Sequence, residues 1–218
     1  PLTNRDAAQM TDLLLTGVTA LVRYTALKME QEGLTYPGED IRGWLWYPDF
    51  THISNEVPFY EECPPAVPLR LEARFCSDAR YLELFRYTGV DVIELTGNHI
   101  HDWGPEAFSD TLDLYNREGY LTYGGGKDFE DARQPLLIEH NGNRLALIGC
   151  NSVGPENVWA TAEQAGAAQC DMEWLIAEIG EMRNQGYLPV VTFQHFELCD
   201  WQPQSAQRVD FLAAAEAG

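Results

Sequence analysis

The order of apolar segments predicts an α/β domain, built either on one mixed sheet or on two packed sheets flanked by helices. Two observations carry that expectation. Short apolar runs alternate with helix-period segments along most of the chain, and Gly or Pro falls near many of the junctions. One hairpin signal, Asn141-Gly142 between two strand-like runs, interrupts the alternation.

Taken in order, residues 11–16 (TDLLLT) form a short apolar run ending at Gly17, as a buried strand feeding a turn would. Residues 20–32 follow helical spacing, and Tyr36-Pro37-Gly38 marks a turn. Residues 40–46 suit a short helix and residues 50–55 an alternating strand, while 63–68 carry the prolines of an exposed loop. Ser77 is the expected N-cap of a helix running to Tyr87, with Gly89 at its C′ position. DVIELT (91–96) is a strand, and Pro105 opens a helix that ends near Gly119. Residues 134–150 make the hairpin, 171–184 a helix, 190–194 a strand and 204–217 a closing helix. The Ala-, Gly- and Gln-rich stretch 152–170 is expected as a long surface loop or a lid.

Composition narrows the partners. The chain has 218 residues, 45% of them hydrophobic, enough for a substantial core. Its 34 acidic and 14 basic residues give a net charge of −20, which repels nucleic acid. A polyanionic substrate would need a bound cation or a local Arg cluster to approach. Five cysteines, at 63, 76, 150, 170 and 199, form no CxxC pair, so a zinc ribbon is not expected and at most two disulfides can form. No run of about 18 apolar residues is present. The chain begins at Pro1 and ends at Gly218 in a helical pattern, and both ends read as cuts in a longer protein. Trp44, Trp46 and Tyr47 form an aromatic cluster, read as core packing in preference to a polymer-stacking surface. Gly124-Gly125-Gly126-Lys127 lacks P-loop spacing and reads as a loop needing positive φ.

The chemistry concentrates at three strand ends. Leu95 to Gly104 (LTGNHIHDWG) places Gly-Asn-His at the C-terminal end of an apolar strand, where open α/β folds keep their sites. The Asn98 amide oxygen is a hard ligand for a divalent metal, and His99 can give a proton to a phosphate oxygen or leaving group. Asp102 can orient His99 through a ring N–H or cap the next helix. Thr51 to Glu56 ends a second strand with Asn55 and Glu56, which strand alternation would point to opposite faces. His195 closes a third strand as either a neutral imidazole ligand or a hydrogen-bonded core His. Asn, Glu and His at three strand ends are what a dinuclear metal site needs.

These segments resemble the CapA/PgsA family of bacterial capsule (poly-gamma-glutamate) synthesis, itself similar to calcineurin-like metallophosphoesterases. TGVTALVR (16–23), HISNEVPF (52–59), ELTGNHIHDWG (94–104), YGGGKDFEDARQP (123–135) and QHFE (194–197) carry the resemblance in order over nearly the whole chain. It implies a four-layer α-β-β-α sandwich, here one domain over 1–218, cut short at its C-terminus. It also implies Asn98 as a metal ligand, His99 as the catalytic His with Asp102, and His195 as a later metal ligand. Asn55 or Glu56 would take the bridging position, and Arg23 and His101 would meet substrate. Two departures stand out. The family's Gly-Asp at the end of the first strand reads Gly17-Val18 here, and a final Gly-His-x-His segment is expected beyond Gly218.

The resemblance implies a metal-dependent, phosphoesterase-like hydrolase of capsule synthesis using Mn, Fe, Mg or Zn. The alternatives are a non-catalytic envelope protein that binds polymer or synthase partners, and a peptide or amide hydrolase. Expected partners are an anionic polymer or phosphoester and capsule-synthase membrane proteins, at an extracytoplasmic cell-envelope location and anchored through a segment outside this sequence.

Overall fold

The computed structural model describes residues 6–69, 72–198 and 200–218. In chain order its elements are β1 (Leu13–Thr19), α1 (Arg23–Glu32), α2 (Arg42–Trp46), β2 (Phe50–Asn55), α3 (Leu82–Thr88), β3 (Val92–Glu94), α4 (Gly104–Glu118) and β4 (Leu121–Tyr123). They continue with β5 (Gly125–Gly126), α5 (Phe129–Ala132), β6 (Leu136–His140), β7 (Asn143–Asn151), β8 (Gly166–Ala167), α6 (Met172–Asn184), β9 (Leu188–Gln194) and α7 (Ser205–Ala217).

Two principal sheets form. The first has the order β1-β2-β3-β4, with every neighbouring pair parallel. The second has the order β6-β7-β9, in which β6 and β7 are the antiparallel hairpin and β7 and β9 run parallel. Strand alternation then builds the layers. On β3, Ile93 joins α1, α3 and α4 residues such as Met29, Phe85 and Tyr115 in an outer core. Its neighbour Val92 faces the other way, packing with Tyr123, Ile138, Leu145 and Leu147 between the sheets. On β7, Ala146 and Ile148 turn outward onto Leu175 and Ile179 of α6 and Ala214 of α7. The result is helices, sheet, sheet, helices: the expected four layers.

Local rules account for most boundaries. α3 and α4 end where Gly89 and Gly119 enter the left-handed region. The α6 N-cap is Asp171, whose carboxylate accepts from the Glu173 and Trp174 amides. Several expectations need correction. β1 runs on through Gly17 to Thr19, with an irregular register between Leu15 and Val18. The cap before α3 is Asp78, which accepts from the Arg80 amide, because Ser77 is buried and donates to the Leu21 carbonyl. Of the Gly124–Gly126 run only Gly124 has positive φ, and the other two form β5. The 152–170 stretch is no open lid: Val158, Ala160, Ala165, Ala167 and Ala168 are buried, and β8 pairs with β5. Trp44 and Tyr47 are 77% and 90% exposed, so the aromatic cluster lies on the surface.

Two disulfides form, Cys63–Cys76 and Cys150–Cys170, while Cys199 lies outside the described residues. Among the described residues no helix is long and apolar enough to cross a membrane.

Candidate functional site

The space between the sheets changes character along the strands. Beyond the apolar contacts of Val92 it becomes polar: Glu94 accepts hydrogen bonds from the hydroxyls of Thr96 and Thr192, the latter at 3.2 Å. The Tyr123 hydroxyl lies 3.1 Å from Thr192 Oγ1 and 2.9 Å from His52 Nε2. Burial pushes the Glu94 carboxyl up and lowers His52 to about 4. This seam leads to the C-terminal ends of β2, β3, β7 and β9.

The ends are locked to each other. A Cβ on Gly97 would sit 2.5 Å from the Glu56 Cα, so only glycine lets the turn after β3 lie against the end of β2. Asn151, fully buried at the end of β7, donates from Nδ2 to the Thr96 carbonyl at 2.7 Å. Its Oδ1 accepts from the amides of Val153 and Gly154 and from the Trp159 indole. Gln194 closes β9 and donates to Asn98 Oδ1 at 3.2 Å.

His99 and Asp102 form the chemical centre. His99 Nδ1 donates to Asp102 Oδ2 at 2.8 Å, and the same oxygen accepts from the Phe75 amide at 2.7 Å. Asp102 therefore orients His99, whereas the α4 N-cap, Trp103, makes no side-chain capping bond. Among the described residues His99 Nε2 has no hydrogen-bond partner, and the ring is half-buried. The Asp102 hydrogen bond raises the His99 pKa against the opposing effect of burial, and the charges of Asp102, Glu56 and Glu197 add to the rise. Glu56 is itself pushed up, chiefly by burial.

The remaining sequence candidates separate. Asn55 is buried and donates to the Val57 carbonyl at 2.6 Å, while its Oδ1 has no partner. Glu56 is the member of that pair whose charge acts on His99. His195 is buried with both nitrogens engaged: Nδ1 accepts from the Phe196 amide, so Nε2 donates to Asp210 Oδ2 of α7 at 3.1 Å. His101, expected to meet substrate, turns into the core, with Nδ1 at 2.5 Å from the Asn157 carbonyl. Arg23 is exposed and lies over Phe75, whose ring contacts His99. Val18, where the resemblance calls for a carboxylate, pairs in register with Ser54 and offers no oxygen donor. Sequence reasoning missed Asn151, Gln194, Arg74 and Phe75. Only Asn151 and Gln194 carried a signal, a polar residue closing an apolar strand.

The donor chemistry suits a hard divalent cation in part. Amide oxygens of Asn55 and Asn98 and the Glu56 carboxylate stand at neighbouring strand ends, and Asn55 Oδ1 is a buried acceptor without a donor. Yet among the described residues no three or more His, Cys, Asp or Glu side chains group as a ligand set.

Comparison with known proteins follows the same outline. Residues 12–218 match the family described as Bacterial capsule synthesis protein PGA_cap. The chain is similar to the Capsule biosynthesis protein CapA of Bacillus anthracis, at 28% identity over 135 residues, covering 60% of this chain and 33% of that relative. It is similar to the PGA biosynthesis protein CapA of Bacillus subtilis (strain 168), at 26% identity over 128 residues, covering 58% of this chain and 34% of the relative. The chain thus spans about a third of the length of these curated relatives. With a metallophosphoesterase-like α/β architecture and a match over all but its first residues, the chain belongs to the bacterial capsule synthesis protein PGA_cap family.

Proposed function

We propose that this chain is a phosphoesterase-like hydrolase domain working in capsule synthesis, on an anionic polymer or phosphoester. The observation that carries the reading is the Asp102–His99 pair, with Nδ1 fixed and Nε2 free of protein partners. A His held this way presents one nitrogen for proton transfer, and its raised pKa keeps it charged closer to neutrality. Protonated Nε2 can donate to the leaving oxygen as water adds to phosphorus and the ester bond breaks, and the proton that the attacking water releases restores the charged imidazole.

A divalent cation, if bound, would be held by Asn55, Glu56 and Asn98 and would supply Lewis-acid polarisation and a more acidic water. His195 joins that set only if it gives up Asp210. The extracytoplasmic setting is supported by the two disulfides, which persist in oxidising compartments.

The test is turnover of phosphodiester, phosphomonoester and γ-glutamyl amide substrates, with metal content measured in parallel. His99→Ala is expected to lower kcat by about 10²–10⁴-fold on one substrate class. Unchanged turnover in that variant, or no turnover on any class with Mn, Fe, Mg or Zn supplied, would count decisively against the reading.

A second reading has an observation of its own. The ligand set is incomplete at Val18, and the exposed Trp44 and Tyr47 offer a contact surface. A domain that binds polymer or synthase subunits without hydrolysis would show saturable polymer binding unaffected by His99→Ala.

A further inference from the structure

Beside the strand ends lies a cavity of about 260 Å3, between the start of α1 and the loop closed by Cys63–Cys76. Pro64, Pro65, Ala66 and Val67 make an apolar wall. Three arginines, Arg23, Arg74 and Arg80, line the same space. The whole chain has only 14 basic residues against 34 acidic ones, whereas here three arginines face two lining carboxylates, Glu30 and Asp78, a local excess of positive charge.

Their pairing differs. Arg80 is held by Glu30 at 2.8 Å and Asp78 at 3.0 Å, which neutralises the carboxylates of the cavity rim. Arg23 and Arg74 have no carboxylate partner among the described residues, and both are exposed. Each guanidinium rests on an aromatic ring: Arg23 Cζ is 4.8 Å from the Phe75 centroid and Arg74 Cζ is 4.0 Å from that of Trp103. Arg74 Nε donates to the Asp102 carbonyl at 2.7 Å, which fixes the plane and leaves its terminal N–H groups unspent. Arg23 holds φ at 50°, a left-handed conformation that a non-glycine residue adopts only under constraint. Phe75 joins the cavity to the chemistry, because its ring lies 4.8 Å from the His99 ring and its amide donates to Asp102.

We propose that Arg23 and Arg74 form a carboxylate subsite in this cavity, which takes an acidic group borne on a short aliphatic stem and sets the adjoining bond beside His99. The planar guanidinium fork matches a carboxylate, and the Pro-Ala-Val wall covers methylenes. An inorganic phosphate would leave that wall uncovered. The catalytic consequence rests on the role of His99 proposed above, whereas the binding does not.

The experiment is therefore run on the whole chain in EDTA, without turnover. Glutarate is titrated and read by Trp fluorescence and by chemical-shift changes at the Arg Nε–H groups. Neutral glutaramide and inorganic phosphate are the comparators. Saturable glutarate binding is expected, weakened tenfold or more in Arg23→Gln and in Arg74→Gln, and unchanged in Arg117→Gln on the far end of α4. Arg74→Lys, which keeps the charge but not the fork, is expected to fall between. Circular dichroism identifies any variant that has not folded, and the lysine variant then carries the test at that position. Absence of saturable glutarate binding, equal binding by the folded arginine variants, or tighter binding of phosphate or glutaramide each overturns the proposal. Glutarate binding with no hydrolysis in any assay would remove the hydrolase reading and leave the subsite standing.

Discussion

Asp102 Oδ2 accepts from two donors of different origin, the His99 ring and the Phe75 amide. The first is what raises the His99 pKa, and the second holds the carboxylate in place. Replacing Asp102 by Asn removes the charge and leaves a weaker acceptor. His99 is then expected to titrate at lower pH than in the parent chain, as ring-proton NMR would show. The linkage has a definite sign: a His with a raised folded pKa contributes stability that is complete below its unfolded value of about 6.5 and is lost as pH rises through the folded value. Asp102→Asn should therefore flatten the stability curve just above that pH, and an unchanged slope would contradict the assignment. At this scale the sequence pointed to the residues and left Asp102 two roles, orienting His99 or capping the next helix, of which the structure shows the first. Asn98, His99 and Asp102 stand out because polar side chains follow an apolar strand. That Phe75, 27 residues from Asp102 in sequence, supplies the second donor depends on the path of the disulfide-closed loop, which no local pattern encodes.

Among the elements, the joint between β2 and the turn after β3 depends on a missing side chain. An alanine Cβ at position 97 would lie 2.5 Å from the Glu56 Cα and 2.9 Å from its carbonyl oxygen, both backbone atoms that no rotamer change can move aside. Gly97→Ala is expected to destabilise the chain by roughly 1–3 kcal/mol, in the range of other overpacking substitutions, and to disturb Asn55 and His99 together. Urea unfolding gives the first quantity and NMR shifts the second, and a variant as stable as the parent with unmoved His99 resonances would refute the account. The longer elements were legible because periodicity and end signals agree along them, as with Pro105 and Gly119 around α4. β4 was not, because Leu121–Tyr123 is too short for alternation to register and owes its existence to pairing with β3. The exposed Trp44 and Tyr47 show the limit of composition: aromatic clustering does not say whether the rings face the core or solvent.

For the molecule as a whole, the seam between the sheets couples folding to pH from both sides. His52, lowered to about 4 by burial, contributes stability that is complete above its unfolded pKa of 6.5 and is lost as pH falls toward 4. Glu94, raised by burial, behaves oppositely: its contribution is complete below its unfolded value of 4.5 and is lost as pH rises through the folded value. His52→Gln should remove acid-side loss, and Glu94→Gln alkaline-side loss, in thermal melts over a pH series. The largest effect from His52 alone is about 3 kcal/mol. Identical pH profiles in parent and variants would show that the seam does not titrate as described. The two-sheet architecture could be anticipated from strand order and from the resemblance, but its polar interior could not. His52 and Glu94 read in sequence as ordinary members of alternating strands, and only the packing of one sheet on the other buries them.

The Cys63–Cys76 bridge has a consequence in time. It ends one residue from Phe75, whose amide aims Asp102 at His99 and whose ring underlies Arg23. A newly made chain, before its thiols are oxidised, has all the residues of the centre but not the clasp that assembles them. Closing the bridge is then expected to set Phe75 against Asp102, which places assembly of the centre after oxidation of the thiols. A Cys63→Ser chain is expected to keep its two sheets and to loosen the Phe75 amide bond to Asp102, read as a shift of the His99 ring resonances.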